Sequence, residues 1–400
     1  MHKEINLTVN PAFVKAYLEG YPLISSESLA DSSGVVQEEG SIVNLIDMRK
    51  KFIAKGYYGK QNKGYGWVLS KEKSQKIDID FFRKKIQEAI AYRKEFYESK
   101  TTTAFRVFNA EGDGMGGLTI DYYEGYYVLT WYSVGIYTFK EQILEALKSL
   151  VKYKGIYQKK RFNTKGQYLD ETDDFVCGKK APEPLIVKEN GVSFAIYLDD
   201  GAMVGIFLDQ KEVRKKIKDT YAKGKTILNT FSYTGAFSVY AALGGAKETT
   251  SVDLANRSRS KTQEQFSINN IDIEKQHIIV EDVFNYFKYA VRKKLSFDLV
   301  VLDPPSFARS KKHTFSASKD YVKLLKEAIQ ITSKGGVIIA STNASNFDMR
   351  RFKEFIDKAF KALNGRYKIE ETFSLPKDFK VSETFKEGNY LKVVFIRKMA

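Results

Sequence analysis

From residue 192 onward, short apolar runs alternate with longer amphipathic ones. Val192–Leu198, Thr226–Asn229, Glu248–Val252, His277–Val280, Asp298–Leu302 and Val337–Ala340 have strand length, helical segments separate most of them, and Lys392–Ile396 closes the chain. Consecutive apolar positions suit strands covered on both faces, so the alternation predicts a mostly parallel, doubly wound α/β sheet with helices on both sides. The first 72 residues differ: Ile42–Ile46, Phe52–Ala54 and Gly64–Leu69 are short runs broken by glycine and serine, which predicts a small β-barrel or sandwich. Between these regions, Asp78–Glu98 carries a helical stripe of Ile79, Phe82, Ile86, Ile90 and Tyr97. After it come Phe105–Phe108, a glycine-rich loop at Glu111–Gly117, strands at Leu118–Ile120 and Tyr126–Trp131, and a helix at Phe139–Leu150. That mixture predicts an α+β domain. Residues 163–184 are polar and end in Pro182 and Pro184, which predicts a crossing segment and hence three domains, 1–72, 73–185 and 186–400.

Charge adds a partner to this picture. Lys+Arg of 65 against Asp+Glu of 49 gives +16, a balance suited to a polyanion. The excess sits in short clusters, Arg49-Lys50-Lys51, Lys159-Lys160-Arg161, Lys215-Lys216, Arg292-Lys293-Lys294 and Lys311-Lys312, so folded surface and not a disordered arm is expected to meet the nucleic acid. The segment Gly56-Tyr57-Tyr58-Gly59-Lys60 suits either base stacking or core aromatics beside turn glycines. The lone cysteine, Cys177, excludes an internal disulfide framework, and His2, His277 and His313 lie too far apart for a dedicated zinc site. Neither a signal-peptide pattern nor a membrane-length apolar run is present, which predicts a cytoplasmic protein with no membrane partner.

Candidate chemistry gathers where strands are expected to end. Leu299–Leu302 runs into Asp303-Pro304-Pro305, where neither proline can donate a ladder hydrogen bond, and Phe307 follows. A carboxylate, rigid backbone and an aromatic are thus presented at a carboxyl edge, where open α/β sheets bind ligands. Ile227-Leu228-Asn229 leads through Thr230, Phe231, Ser232, Tyr233, Thr234 and Gly235 into a helix, Ser238–Leu243, without a GxGxxG or GxxxxGK[ST] fingerprint. The next two expected strands end at Asp253 and at Glu281-Asp282. An acid at the second strand end can accept from ribose hydroxyls, and one at the third can reach an adenine amino group. A ligand with adenosine, an amino acid and no phosphate fits such a ring of acids, which points to S-adenosylmethionine. Each acid alone has a plainer alternative as a helix cap. The loop Glu111–Gly117 lacks the Gly-Lys-Ser/Thr ending and leads into a strand, so a hairpin connection is expected there in place of a phosphate loop.

With these motifs in view, the chain resembles the bacterial 23S rRNA large-subunit methyltransferases that join an N-terminal PUA domain, a central α+β domain and a C-terminal Rossmann-like methyltransferase domain. The resemblance covers nearly the whole chain. It rests on Glu111–Asp121, Phe207-Leu208-Asp209-Gln210, Leu228–Gly235, Val252-Asp253, Glu281–Phe284 and Asp303–Phe307. It implies that Asn229, Phe231, Tyr233, Thr234 and Gly235 line the S-adenosylmethionine, with Asp253 at its ribose, Asp282 and Val283 at its adenine, and Gln210 and Arg214 near its methionine end. It also implies that the N-terminal domain engages 23S rRNA or a large-subunit assembly particle, and it alone suggests a homodimer.

One departure bears on mechanism. Members that form 5-methylcytosine carry a Ser-Cys-Ser whose thiol attacks the base, and here the matching stretch is Ser341-Thr342-Asn343. Carbon 5 of cytosine needs a thiolate at carbon 6, for which a threonine hydroxyl is a poor substitute. Guanine N7 already has a lone pair and needs only positioning. Ser-Thr-Asn is also similar to the Ser-Asn-Asn of a related rRNA guanine-N7 methyltransferase domain. The expected site therefore comprises Asp303, Pro304, Pro305, Phe307 and Asn343, with Asp303 accepting from a base amino group, Asn343 orienting a base edge and Phe307 stacking. Cytosine C5, an exocyclic amino group, or a non-catalytic ribosome-assembly factor remain the alternatives.

Overall fold

Strands with both faces apolar need a layer of helices on each side, and in the computed structural model residues 211–376 and 389–398 build such a sandwich. The structure describes residues 3–31, 37–61, 64–164, 167–168, 174–201, 203–309 and 314–399. His2, His313 and the Lys311-Lys312 cluster fall outside the described residues. The chain divides into two compact units.

One unit comprises Lys188–Ala195, Gly205–Pro376 and Asn389–Ala400. Its sheet contains β1 (Thr226–Thr230), β2 (Glu248–Asp253), β3 (Gln276–Val280), β4 (Phe297–Leu302), β5 (Thr332–Thr342), β6 (Tyr367–Phe373) and β7 (Lys392–Lys398). Strand order is β3-β2-β1-β4-β5-β7-β6. The first five pair in parallel, and β7 runs antiparallel to both β5 and β6. The order reverses between β1 and β4, which makes their carboxyl ends the switch point where such sheets bind ligands.

Six helices cover the sheet: α1 (Lys211–Lys216), α2 (Ala236–Leu243), α3 (Arg257–Ile268), α4 (Val283–Arg292), α5 (Ala317–Ile331) and α6 (Met349–Lys361). Alternate strand residues go to opposite layers. Leu299, Val301 and Ile339 pack with Val213 and Phe237 of α1 and α2. Val300, Leu302, Ile338 and Ala340 pack with Tyr321, Leu325 and Phe352 of α5 and α6. The expected first strand, Val192–Leu198, is not part of this sheet. Val192–Ile196 forms a separate two-stranded ribbon with Leu185–Glu189. Its turn is Asn190-Gly191, both at positive φ (49° and 81°), the dipeptide best suited to a tight hairpin.

The other unit comprises Met1–Val187, Ile196–Val204 and Lys377–Gly388. Its N-terminal strands form a five-stranded sheet in which only Glu4–Thr8 and Ile42–Ile46 pair in parallel. Tyr57 and Tyr58 are buried, and the Tyr57 hydroxyl donates to Gly116 O at 2.8 Å, so this pair serves as core and not as a base-stacking platform. A second five-stranded sheet runs from Ala104–Asn109 to an edge strand at Phe175–Gly178. Cys177 therefore belongs to a strand paired with Gly155–Lys160, where the sequence predicted a crossing segment.

The expected helix Asp78–Glu98 breaks at Arg93, between Ile79–Tyr92 and a short turn at Lys94–Tyr97. Arg93 is fully buried and bonds bidentately to Asp113, at 3.0 and 2.7 Å, while its Nε donates to Asp378 O at 2.8 Å. Asp113 lies in the glycine-rich loop and also accepts from Asn109 N at 2.6 Å. The loop joins two antiparallel strands as expected, and its glycines serve close packing: a Cβ on Gly116 would sit 2.1 Å from the Trp67 ring. An acid at the centre of such a loop would repel phosphate, and its charge is spent on Arg93. Truncating one partner of a buried ion pair leaves the other unpaired. Asp113→Ala is expected to lower unfolding free energy by about 3–5 kcal/mol, measured by urea denaturation.

Candidate functional site

The segment after β1 leaves the sheet in a backbone conformation that few side chains accept. Phe231, Tyr233 and Gly235 have φ of 54°, 51° and 78°, alternating with Ser232 and Thr234. Left-handed backbone at a bulky non-glycine residue costs about 1–3 kcal/mol and persists where surroundings over-determine it. Here Ser232 N donates to Val252 O at 3.1 Å, Tyr233 N to Asp253 Oδ2 at 2.9 Å, and the Thr234 hydroxyl to Gly205 O at 2.8 Å. Asp253 ends β2, and its other oxygen accepts from Ala255 N at 2.9 Å, so both oxygens are aimed by backbone amides. Asp282 caps α4, accepting from Phe284 N at 2.8 Å, with Val283 buried behind it. Its second oxygen takes no part in the cap.

Two amide oxygens at this edge are buried without a hydrogen-bond donor: Asn229 Oδ1 and Gln210 Oε1. Asn229 donates through Nδ2 to Ser238 Oγ at 3.0 Å. Gln210 donates through Nε2 to Asp303 Oδ1 at 3.0 Å and to Ser341 Oγ at 2.8 Å. A buried acceptor left unsatisfied costs free energy comparable to a lost hydrogen bond, and a donor bound at this edge would remove that cost for both. Arg214, expected beside Gln210, has its charge committed elsewhere. Its guanidinium is buried on Glu189 at 2.8 and 2.7 Å and also donates to the Phe207 carbonyl at 2.7 Å. It braces the Phe207–Gln210 segment from behind.

Beyond β4, Pro304 is buried, Pro305 is exposed, and Phe307 is 63% exposed, an unusual setting for a phenyl ring. Asn343 is exposed after β5 and its Oδ1 accepts from the Ser306 hydroxyl, linking the two loops. Thr342 is fully buried, and its Oγ1 accepts from Ala344 N at 3.2 Å. Lys392, paired in register with Thr342, is buried over the Phe347 ring and donates to Tyr390 O at 2.6 Å. Burial pulls its ammonium down to about 8.

The structure thus gathers Asp303, Gln210, Asn229, Asn343 and the Phe231–Gly235 turn at the carboxyl ends of β1, β4 and β5. Ser306 and Ser341, which lie inside the sequence motifs without an assigned role, join them, as do Tyr321 and Lys392, which had no sequence signal because each acts through a neighbour that only the tertiary structure supplies. Of the expected basic clusters, Arg49–Lys51 and Arg292–Lys294 are exposed. Lys159 is buried on Asp174, and Lys215 and Lys216 pair with Asp219 and Glu371 at 3.1 Å each. No group of three His, Cys, Asp or Glu among the described residues can hold a metal ion, and no described helix is long and apolar enough to cross a membrane.

Comparison with known proteins gives a consistent picture. The pattern of the S-adenosylmethionine-dependent methyltransferase family matches residues 77–376, and that of a PUA-like domain matches residues 7–71. A Bacillus subtilis protein, YwbD, provisionally named a ribosomal RNA large subunit methyltransferase, is 58% identical over 394 residues, covering 98% of this chain and 99% of its own. Ribosomal RNA large subunit methyltransferase I of Aeromonas salmonicida is 30% identical over 384 residues, 96% of each chain. The crystal structure of SMU.776, described provisionally as a methyltransferase and complexed with SAH, is 40% identical with a TM-score of 0.90, covering 99% of this chain and 100% of that one.

Asp303 has a titration moved far from its ordinary value. Burial pushes its carboxyl up to about 6, with the charge of Asp209 adding to the shift and the Ser341 hydrogen bond and Arg214 opposing it. An acid raised in the folded state favours folding most below its unfolded value, and that contribution is lost as pH rises through about 6. Asp303→Asn keeps an acceptor for Gln210 and removes the buried charge. It is expected to stabilise the protein by about 1–3 kcal/mol at pH 7.5 and to leave it unchanged at pH 3.5, read from urea denaturation at the two pH values.

Proposed function

The chain belongs to the S-adenosylmethionine-dependent methyltransferase family, and we propose that it methylates 23S ribosomal RNA at a guanine ring nitrogen, N7, without a covalent enzyme–base intermediate. The cofactor is S-adenosylmethionine, and its hydrogen-bonding groups suit the residues present. Its ammonium and ribose hydroxyls are donors, and the chain offers acceptors: the orphaned Gln210 Oε1 and Asn229 Oδ1, and the oriented carboxylate of Asp253. Asp282 and Val283 would take the adenine, and the turn from Phe231 to Gly235 would line the adenosine. We read the chain as three domains divided at 72 and 185, with the PUA-like part engaging RNA. Two relatives named ribosomal RNA large subunit methyltransferases support the substrate class.

Thr342 is the observation that carries the non-covalent assignment. It occupies the position of the attacking thiol in cytosine-C5 enzymes, and it is a buried hydroxyl already engaged by Ala344 N. The bound cofactor supplies an electrophilic methyl group, and N7 can accept it through its own lone pair with no prior addition to the ring. The protein's task is then orientation. Asp303 accepts from the base amino group, Asn343 contacts a base edge, Phe307 stacks on the ring, and Pro304 and Pro305 keep the loop rigid. An exocyclic amino group is the second reading, favoured by the same Asp303, whose carboxylate sits next to the donor-binding Gln210.

Mass mapping of 23S rRNA from cells lacking the gene is expected to show loss of one 7-methylguanosine. Loss of a 5-methylcytosine with every 7-methylguanosine intact would overturn the assignment. With the purified enzyme, Asp253→Ala is expected to weaken S-adenosylmethionine binding at least tenfold by calorimetry, since two amide-aimed acceptors are removed. Asn343→Ala is expected to reduce turnover while leaving donor affinity within about twofold.

A further inference from the structure

Beyond the residues that would touch donor or base, two side chains from opposite helical layers reach across the same gap. β4 and β5 stay in register up to Leu302 and Ala340. Past that point the ladder between them ends and the chain runs into the two loops that carry Asp303–Phe307 and Asn343, joined at the surface by the Ser306–Asn343 hydrogen bond. On the side of α1 and α2, Gln210 uses both hydrogens of its amide, one on Asp303 of the β4 end and one on Ser341 of the β5 end, at 3.0 and 2.8 Å. On the side of α5 and α6, the hydroxyl of Tyr321 lies 2.6 Å from Ser341 O and 3.4 Å from Leu302 O. Its one hydrogen is shared, chiefly with Ser341 O, and the longer arm of this three-centre bond reaches the β4 end. Tyr321 is fully buried, packed edge-on against Phe352 with ring centroids 4.9 Å apart.

We propose that Tyr321 and Ser341 are positioning residues, acting with Gln210 to hold the ends of β4 and β5 at the separation needed to present a base to the methyl donor. The proposal rests on the reading that the Asp303–Phe307 and Asn343 loops hold the base. Neither Tyr321 nor Ser341 touches substrate on this account; each acts through the loop that follows it. The arrangement suits the task because a strand pair past its last ladder bond has lost the ladder that otherwise fixes its spacing. A hydroxyl locked in a core and an amide with both hydrogens in use replace that ladder from both faces. Loss of about an ångström in such a slot is enough to cost roughly a hundredfold in rate.

The groups facing Asp303 make the two arms separable. Gln210 and Ser341 bond to it, Asp209 from the segment leading into α1 and Arg214 within α1 act on it through charge, and Tyr321 lies on the opposite layer. The Ser341 bond favours the carboxylate, so its loss moves the titration of Asp303 upward, and loss of the Tyr321 hydroxyl leaves that bond in place.

The test uses the full-length enzyme with S-adenosylmethionine and transcribed 23S rRNA, comparing Tyr321→Phe and Ser341→Ala with wild type. Tyr321→Phe is expected to lower kcat roughly tenfold with donor Kd within about twofold, and to speed amide hydrogen exchange at Thr342, Asn343 and Ala344 roughly tenfold with β1 and β2 unaffected. Ser341→Ala is expected to lower kcat similarly and also to move the acid limb of the kcat–pH profile to higher pH, a change that a purely structural role does not produce. Unchanged kcat in both variants, or unchanged exchange at 342–344 in Tyr321→Phe, overturns the proposal. If wild type methylates no RNA, the proposed function fails by itself, and exchange at 342–344 still decides whether the clamp exists. Should Tyr321→Phe not fold, the pH limb of Ser341→Ala decides alone, and an unmoved limb overturns the proposal.

Discussion

The carboxyl edge of the methyltransferase sheet depends on one constraint: a carboxylate must be held at a place where water solvates it poorly. Two prolines stop β4 immediately after Asp303, and the strand before them is apolar on both faces, so the acid cannot retreat to solvent by extending the strand. Burial raises its titration to about 6, and the Gln210 amide and Ser341 hydroxyl are what keep it oriented. Gln210 reaches Asp303 only because Arg214, one helical turn further on, is neutralised by Glu189 and carries the preceding loop on its guanidinium. A buried carboxylate kept in place by hydrogen-bond donors is the kind of group that functional sites hold in such surroundings.

A second constraint lies in the turn between β1 and α2. Phe231 and Tyr233 adopt left-handed backbone that glycine would take without strain. The strain places two rings in a segment whose amides are tied to β2 and to Asp253, so the turn and the second-strand acid are built as one object. The strand–glycine–helix passage carries no dinucleotide fingerprint, and its backbone is used to aim the carboxylate of Asp253.

The other unit shows how the same residue types are spent on cohesion. The glycine-rich loop contains an acid that pairs with a buried arginine at a helix end, and the tyrosines of Gly56–Lys60 fill a core. The chain segment Lys377–Gly388, which connects β6 and β7 of the methyltransferase sheet, belongs to this unit and supplies Asp378 O to Arg93. Polar and aromatic residues with nucleic-acid-like composition were therefore poor guides to interface here, because burial and pairing are properties of the fold.

Sequence alone determined six of the seven strands of the sheet and the strand-end positions of Asp253, Asp282 and Asp303, because each follows from local signals: apolar runs of strand length, prolines that end a ladder, and a turn leading into a helix. Strand order and β6 were not legible in it. It also determined that no thiol stands at Thr342. Register and burial were beyond it. Val192–Ile196 reads like any sheet strand, yet an Asn-Gly turn folds it into a ribbon of its own. Arg93 lies within the expected helix Asp78–Glu98, and no local signal marks its pairing with Asp113. Whether Lys159 is a phosphate contact or a buried partner of Asp174 depends on a strand pairing. The linkage of Asp303, Gln210, Ser341 and Tyr321 joins residues separated by up to 131 positions along the chain. Local propensity carries no record of such distances, and only the packing of two helical layers on one sheet brings those four groups within hydrogen-bond reach.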